Sequence, residues 1–520
     1  MNEKKGLFTK GELIESYGQV SIYNGTPYKL YAIKTSEFTP EQQSFIDFLT
    51  NAVKRSYSIE ELSATLPIEH ADAFAERFNR DIVQTIEINQ LMTKLPNDET
   101  YKEMFDSMLK LFEDYFPEIE RKREIVSKVL GDSIGYGFLE PLMEDENLEE
   151  IMINGKGKPI FVFHKKYGTC RTNLIVENEN TIYRLISRIA GTIGKAFDEE
   201  HPLLDARLPG GSRVNATFKN VTPFGYTLTI RKFNKNPISI IELIQNRTLS
   251  PEVAAFLWLA VEGLRLNPAN IIVSGGASSG KTTLLNALCS FIRPEERIIS
   301  IEDTLELDFG ERENVVQLEA RPKIMNVNEV SMNDLLKNAL RMRPDRIIVG
   351  EVRGEEAQTM FVAMDTGHKG LLGTLHSNNS REMILRLKST PMNVPVNMIP
   401  LLDLAVIMFK IYTKQHGLIR RLREIAEIEH MEEKILLSNI YEWNKRKDTI
   451  ERTDVPARIL DKFSEATGLT KNEVMQEIEI RQHVIEWMLS NKISQWSKVQ
   501  SVIYQYYTDP KSLLEKVFKR

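Results

Sequence analysis

The stretch that decides the fold reads Ile271-Ile272-Val273-Ser274-Gly275-Gly276-Ala277-Ser278-Ser279-Gly280-Lys281-Thr282-Thr283. The segment from Gly275 to Thr282 matches the pattern G-x-x-x-x-G-K-T, and an apolar run typical of a buried strand precedes it. An amphipathic helical pattern follows, with apolar residues at Leu284, Leu285, Leu288 and Phe291. Backbone N–H groups of such a turn, together with the N-terminus of the helix, bind phosphate oxygens.

This phosphate loop predicts a site for a nucleoside triphosphate and Mg²⁺. We expect the whole segment Gly275 to Thr283 to contact the nucleotide, with Lys281 reaching the β- and γ-phosphates and the Thr282 hydroxyl binding the metal. The alternative is an ordinary glycine-rich turn between a core strand and a helix. Because strand and helix patterns both flank the loop, the nucleotide site is the better interpretation.

The composition is that of an ordinary globular protein. The chain has 520 residues, of which 42% are hydrophobic and 27% charged, and its net charge is −6. This acidic balance disfavours a protein that coats nucleic acid. Cys170 and Cys289 lie far apart, so neither a zinc site nor a disulfide framework is indicated, and a reducing cytoplasm is the expected compartment.

The sequence predicts no secretory signal and no membrane-spanning segment. Met1 to Lys10 is polar, without an apolar core. The longest apolar stretch, Val396 to Ile411, is interrupted by polar and charged residues, so it does not resemble a membrane span. We expect a cytoplasmic protein that can still dock at a membrane.

Four regions follow from the changing pattern along the chain. Residues 1–115 read as a helical adaptor, with a capping signal at Thr39–Gln42 and one short β-like piece at Tyr28–Ile33. Residues 116–236 read as an α+β sheet domain, which ends in a linker at Asn234–Pro237. Residues 237–430 alternate strands with helices, which is typical of a mostly parallel sheet covered on both faces. Residues 431–520 read as mostly helical.

Strand patterns can be placed in the second and third regions. Those of the α+β domain lie at Ile151–Ile153, Ile160–Phe163, Arg207–Thr217 (a hairpin) and Tyr226–Arg231. Those of the third region lie at Ile271–Val273, Arg297–Ile301, Arg346–Val349, Gly370–His376 and Ala405–Ile411, with an edge strand at Arg420–Ile428.

Acids and a histidine follow the strands around the phosphate loop. Because ligands bind at the carboxyl ends of strands in such sheets, these residues are expected to lie near the phosphates. Glu351 is suited to the metal, whereas Glu302, Asp303 and Glu306 are candidates to orient or deprotonate the attacking water. His376 could sense the γ-phosphate by a hydrogen bond; the alternative is a core histidine.

The predicted hairpin of the α+β domain and the strand after it carry Arg207, Arg213 and Arg231 near their tips or ends. Any one such arginine is more often simply solvated than functional.

The order of the motifs resembles a known family. After the phosphate loop come Ile301–Leu307, Arg343–Gly354, Thr366–Gly370 and Thr374–Ser377. This order is similar to the Walker A, Asp box, Walker B and His box of the secretion ATPases of the type II and type IV pilus superfamily, over roughly residues 120–430. Phe161–Gly168, Leu208–Arg213 and the helical tail after residue 455 resemble the archaeal and Tad-pilus branches. The four-cysteine zinc insertion of many bacterial members is missing, and the first 115 residues match no known element.

The resemblance implies a RecA-like motor domain in a homohexameric ring, with ATP bound between the motor domain and the preceding sheet domain. It implies that Arg207, Arg213 and Arg231 approach the phosphates. By the same resemblance Glu306 activates water, Glu351 is the Walker B acid, and His376 is the second His-box histidine.

Three functions remain open at this point. The first is an ATPase that works with a polytopic membrane protein to assemble a type IV pilus-like filament, without stable nucleic-acid binding. The second is another motor of the same superfamily, for conjugation-type DNA transport or for an archaellum. The third is a nucleotide-gated scaffold, which the acids retained at the strand ends disfavour.

Overall fold

The structure is a computed structural model that describes residues 9–34, 38–66, 70–91, 94–208, 210–233, 237–321, 328–413, 417–431 and 434–518. The chain divides into two compact units, Met1–Asn234 and Lys235–Arg520. Most of the linker predicted at Asn234–Pro237 lies outside the described residues. The finer boundaries at residues 115 and 430 stay a prediction.

Eighteen strands are present in the described part of the chain: β1 Thr9–Tyr17, β2 Val20–Thr26, β3 Lys29–Ile33, β4 Leu148–Ile153, β5 Pro159–His164, β6 Gly168–Ile175, β7 Leu203–Arg207, β8 Arg213–Thr217, β9 Thr227–Arg231, β10 Ile271–Gly275, β11 Ile298–Glu302, β12 Val315–Glu319, β13 Arg346–Val352, β14 Leu372–Leu375, β15 Leu404–Thr413, β16 Gly417–Met431, β17 Lys434–Asn444 and β18 Thr449–Arg452.

The same ranges contain eighteen α-helices: α1 Pro40–Arg55, α2 Ile59–Thr65, α3 Ala71–Phe78, α4 Gln84–Ile88, α5 Asp98–Tyr115, α6 Lys122–Ser133, α7 Glu140–Glu144, α8 Glu179–Thr192, α9 Ile240–Gln245, α10 Pro251–Glu262, α11 Lys281–Cys289, α12 Met332–Ala339, α13 Glu356–Asp365, α14 Ser380–Lys388, α15 Ile459–Thr467, α16 Lys471–Ser490, α17 Trp496–Thr508 and α18 Pro510–Phe518. Within the described residues, no helix combines the length and the apolar composition that a membrane crossing requires.

The first unit is built on a nine-stranded sheet in the order β1-β2-β3-β6-β5-β4-β9-β8-β7. All neighbouring strands are antiparallel except β3 and β6, which are parallel. Helix α8 contributes Ile182, Ile186 and Ile189 to the apolar core on one face of this sheet. Helices α1 to α6 enclose a second core, and α1 begins at the capping box predicted at Thr39–Gln42.

Two features of this unit differ from the sequence prediction. The helical description of residues 1–115 is wrong for residues 9–26, which form β1 and β2, whereas the short β-like piece predicted at Tyr28–Ile33 is confirmed as β3. Strand β6, whose sequence Gly168–Ile175 is largely polar, was missed. Strands β1 and β2 join the sheet through β3, and β6 pairs with β3 and β5. A local apolar pattern does not reveal this pairing.

The second unit contains the parallel sheet that the alternating pattern predicted. Its nine strands lie in the order β12-β11-β13-β14-β10-β15-β16-β17-β18. The six from β12 to β15 are parallel, and β16, β17 and β18 continue the sheet antiparallel. Strand β10 is central and every residue of it is buried, as expected for a sheet covered on both faces.

The prediction that residues 431–520 are mostly helical is wrong for β17 and β18, which lengthen the sheet. Strand β12 was not predicted either, because only part of each of its side chains is buried. The helical tail from α15 to α18 is confirmed. Its residues Phe463, Val484 and Ile503 share one apolar core with Trp258 of α10 and Leu284 of α11.

Candidate nucleotide site

The phosphate loop connects β10 to α11, and its backbone needs glycine at both ends. A Cβ atom on Gly275 would lie 2.3 Å from the carbonyl oxygen of Met408 and 2.4 Å from Ser279 Oγ. Gly280 has a φ of +94° and caps α11, which begins at Lys281. Ser278 also lies in the left-handed region, with a φ of +57°. A side chain at either glycine would therefore distort the loop.

The polar groups of the loop are suited to a phosphate ligand. Lys281 Nζ donates a hydrogen bond to the carbonyl oxygen of Gly276 at 3.3 Å. Ser279 is 1% exposed, and its buried hydroxyl has no hydrogen-bond partner in the described part of the chain. Thr282 lies in the first turn of α11, partly exposed. Among the described residues there is no group of three or more His, Cys, Asp or Glu side chains that could hold a metal without a phosphate.

Hydroxyl groups join the carboxyl ends of the strands beside the loop. Ser274 Oγ, at the end of β10, lies 2.7 Å from Ser377 Oγ and accepts a hydrogen bond from the Ser377 N–H. Thr374 Oγ1, on β14, donates to the carbonyl oxygen of Gly350 on β13 at 2.6 Å. Three strand ends are therefore held together at one edge of the sheet.

His376 lies at this edge, and its pKa reports its neighbours. Burial lowers the pKa of His376 below its usual value, and the positive charge of Lys281 lowers it further, whereas Glu351 opposes the shift. The placement follows from the strands, since Lys281 follows β10, Glu351 lies near the end of β13 and His376 directly follows β14. A neutral His376 can donate or accept a hydrogen bond there.

Glu302 and Glu306 occupy different environments, although the sequence treated them alike. Glu302 is 1% exposed; its Oε2 accepts hydrogen bonds from the N–H groups of Glu306 and Leu307 at 2.7 and 3.0 Å. Ser300 Oγ donates to its Oε1. Burial raises the pKa of Glu302, and the two backbone bonds oppose that rise. Within the described residues the partly exposed Glu306 carboxylate has no hydrogen bond or ion pair.

Asp303 and Glu351 share one arginine. Arg353 Nη2 lies 2.8 Å from Asp303 Oδ2, and its Nη1 lies 4.0 Å from Glu351 Oε2. The guanidinium thereby joins the loop after β11 to β13. The backbone N–H groups of Arg353 and Gly354 are held in turn by Glu356 Oε1, each at 2.6 Å.

Comparison with known proteins places this site in a family. The sequence model of the type II/IV secretion system protein family matches residues 134–445. The chain is a member of the type II/IV secretion system protein family.

Several known proteins are similar to this chain. An uncharacterized protein of Methanocaldococcus jannaschii, MJ0781, is 52% identical over 239 residues, which cover 45% of this chain and 33% of that relative. The chain thus spans about a third of the length of that relative. The conjugal transfer protein TrbB of Rhizobium radiobacter is 30% identical over 304 residues, covering 58% of this chain and 89% of TrbB. The crystal structure of the VirB11 ATPase from the Brucella suis type IV secretion system is similar at 25% identity and a TM-score of 0.28, covering 56% of this chain and 93% of that one.

The family assignment confirms the predicted secretion-ATPase resemblance and the α/β fold with a RecA-like phosphate-loop domain. It does not test the individual roles of the site residues, which remain predictions.

In this secretion-family chain, the three predicted arginines of the first unit form a row. Arg207 lies directly opposite Arg213, which lies opposite Arg231, and Glu150 follows on β4. Their strand neighbours Ala206, Val214 and Ile230 point into the core, so the arginines line the other face of the sheet. The row therefore places three cations side by side on this face, with the Glu150 carboxylate at its end. Their approach to the phosphates remains a prediction.

Two contributors to the site were missed at the sequence level. Asn286 on α11 is buried, and its Oδ1 accepts from the N–H of Asp308 at 2.9 Å, which anchors the loop containing Glu306 to the helix of the phosphate loop. The signal was a polar residue between apolar neighbours on a buried helix. The second is Arg420, on β16, whose Nε donates to the carbonyl oxygen of Ser278 at 3.0 Å. No local sequence motif predicts this contact of Arg420.

A groove of about 340 Å³ opens beside His376. Arg353, Glu382 and Arg386 contribute charged groups to it, and Leu385 and Met392 contribute apolar surface. The site therefore opens to solvent on its His376 side.

Proposed function

We propose that this secretion-family chain hydrolyses ATP to ADP and phosphate at the loop Gly275–Thr283. The observation that supports the proposal most is the joining of three strand ends beside this loop. Ser274 and Thr374 tie β10, β13 and β14 together. Lys281 begins α11, which follows β10, Glu351 lies on β13, and His376 directly follows β14. Packing alone does not require an acid and a histidine at such an edge.

Each residue has a distinct task in this proposal. Lys281 and the loop N–H groups bind the phosphates, and Thr282 and Glu351 would hold Mg²⁺, which supplies positive charge to the transferring phosphoryl group when bound. Glu306 orients the attacking water. Glu302 positions Glu306 through the backbone, and His376 hydrogen-bonds near the γ-phosphate.

We propose further that the protein is a homohexameric motor that assembles a type IV pilus-like filament on a polytopic membrane protein, at the inner face of the membrane. In this proposal the row Arg207, Arg213 and Arg231 supplies positive charge to the phosphates in addition to that of Lys281. In phosphoryl transfer such arginines contribute on the order of 10³- to 10⁵-fold. Sedimentation of the full chain with a non-hydrolysable ATP analogue tests the ring; a monomer at all concentrations would contradict it.

The variant Lys281→Ala tests the nucleotide site. We expect ATP turnover to fall to background, since the cation that contacts the β- and γ-phosphates is lost, while the far-ultraviolet circular dichroism stays that of the wild type. The exposed Lys492, in the turn after α16, gives a matched control as Lys492→Ala, which should hydrolyse ATP normally. Wild-type turnover in the Lys281→Ala variant would refute the site.

A conjugation-type motor is the second candidate, because the relative TrbB is named a conjugal transfer protein. The net charge of −6 counts against direct contact with DNA. Fluorescence anisotropy with duplex and single-stranded DNA at several salt concentrations separates the two functions. Tight, salt-dependent binding at physiological salt would favour DNA transport; its absence would favour the filament motor.

A further inference from the structure

Strand β16 contacts the phosphate loop from the side. Arg420 Nε donates a hydrogen bond to the carbonyl oxygen of Ser278 at 3.0 Å. Its Cδ atom lies 3.5 Å from the position that a Cβ atom on Gly280 would occupy. The arginine side chain therefore lies along the loop at its two left-handed residues.

Ser278 needs such support more than its neighbours do. Its φ of +57° is a conformation that residues with a Cβ atom adopt only where the surrounding structure holds them. A hydrogen bond from a charged donor to its carbonyl oxygen fixes the orientation of the peptide between Ser278 and Ser279. The N–H of Ser279 belongs to that same planar peptide, so its direction is fixed as well.

The same strand also contacts the loop that carries His376. Arg423 Nη1 approaches the carbonyl oxygen of Asn378 to 3.5 Å, and Glu424 Oε1 accepts a hydrogen bond from the N–H of Ser380 at 2.9 Å. Three residues of β16 thus contact backbone groups of both the phosphate loop and the loop that carries His376.

On the basis of the nucleotide-binding function proposed for the phosphate loop, we propose that Arg420 is a positioning residue that pre-organises this loop. It acts through the Ser278 carbonyl, and β16 links the geometry of the phosphate loop to that of the His376 loop. The loop contacts the phosphates of both ADP and ATP. Loss of the hydrogen bond therefore lowers the affinity for both nucleotides equally and leaves the rate of the chemical step unchanged.

The experiment measures the Kd for ADP, and the KM and kcat for ATP, in the full chain. Arg420→Ala removes the donor, and Arg420→Lys keeps the charge but loses the planar Nε donor. Lys410 lies directly opposite Arg420 on β15 and is exposed, so Lys410→Ala is a matched control that removes an equal charge nearby.

We expect both Arg420 variants to raise the Kd for ADP and the KM for ATP about tenfold, with kcat within about twofold of the wild type. Lys410→Ala should change none of the three by more than about twofold. This pattern would not follow from a general loss of fold, which would lower kcat or the active fraction instead.

Three results would overturn the proposal. Wild-type ADP affinity in Arg420→Lys would mean that only the positive charge at this position matters. A loss of ADP affinity in Lys410→Ala as large as that in Arg420→Ala would mean the same. An unchanged Kd with a lowered kcat would move Arg420 to the transition state. A wild-type chain that binds no ADP would sink the proposed function itself, whereas one that binds ADP without hydrolysis still tests Arg420 through the Kd.

Discussion

At the scale of single residues, the site places three neighbouring acids in different environments. Glu302, Asp303 and Glu306 follow one strand and are chemically alike. Glu302 is buried, and its three hydrogen bonds hold the loop after β11. Asp303 pairs with Arg353. The carboxylate of Glu306 is partly exposed. The partly exposed carboxylate of Glu306 is the one that is suited to orienting water.

This separation predicts different outcomes for the same substitution. In Glu302→Gln the amide oxygen can still accept from the N–H groups of Glu306 and Leu307, and the amide nitrogen can donate to the Ser300 hydroxyl. We expect kcat within about threefold of the wild type, a loss of at least about tenfold in Glu302→Ala, and about 100-fold in Glu306→Gln, with KM unchanged.

Steady-state ATPase assays on the three variants distinguish the roles. If Glu302→Gln were as inactive as Glu306→Gln, Glu302 would be a second acid that acts on the water, and its assignment as a positioning residue would be wrong.

At the scale of elements, a partly buried polar network joins β1 and β3 to the rest of the first sheet. Tyr17 and Tyr31 both donate to Asp145 Oδ2, and Tyr17 OH also lies 3.1 Å from His164 Nε2. His164 Nδ1 accepts from the backbone N–H groups of Lys166 and Tyr167. The ring proton therefore belongs on Nε2, and a second proton would displace both backbone donors.

The network predicts acid sensitivity of the first unit. Burial lowers the pKa of His164 below 6.5, although the carboxylates of Asp145 and Glu15 oppose this shift. A depressed pKa means that the contribution of His164 to stability is complete above about pH 6.5 and is lost as the pH falls toward its folded pKa. Thermal melting from pH 8 to pH 5 should show a steeper loss in the wild type than in His164→Gln.

The difference between the two proteins isolates His164 from the other groups that titrate in this range. Parallel pH profiles for both would show that His164 does not bind its proton differently in the folded and unfolded states. The charged neighbours Lys166 and Glu15 pair with each other at 2.9 Å and are retained in His164→Gln, so we expect most of their contribution to cancel in the comparison.

At the scale of the whole molecule, the helical tail is part of the second unit rather than an appendage. Arg481 of α16 is 2% exposed and pairs with Glu262 of α10 at 3.0 Å and with Glu477 at 2.6 Å. Arg293 also contacts Glu262, at 3.3 Å. Trp258 of α10 stacks on Phe291 and donates to Tyr507 of α17. One core therefore supports both the tail and the phosphate-loop helix.

Removing one partner of this buried ion pair should destabilise the whole unit. Arg481→Ala leaves the buried Glu262 with less compensation, and we expect the free energy of unfolding to fall by about 3–5 kcal/mol. Urea unfolding followed by tryptophan fluorescence measures the change. Lys471, on the same helix, forms an exposed pair with Asp461, so Lys471→Ala should cost less than about 1 kcal/mol. Equal effects of the two variants would contradict the shared core.

The sequence by itself determined the phosphate loop, because Gly275, Gly280 and Lys281 act through local backbone geometry at fixed spacing. It also determined the parallel sheet and the edge of that sheet at which Glu351 and His376 lie, because parallel strands connected by helices place their carboxyl ends on one side.

The tertiary structure decided what depends on residues distant in the chain. The pairing of β3 with β6 joins β1 and β2, which were predicted to be helical, to the rest of the sheet through β3. The cross-strand register aligns Arg207, Arg213 and Arg231, and β16 brings Arg420 onto Ser278. The physical reason is the same in each case. These contacts join segments up to 142 residues apart, and their free energy comes from pairing and burial that no local pattern encodes.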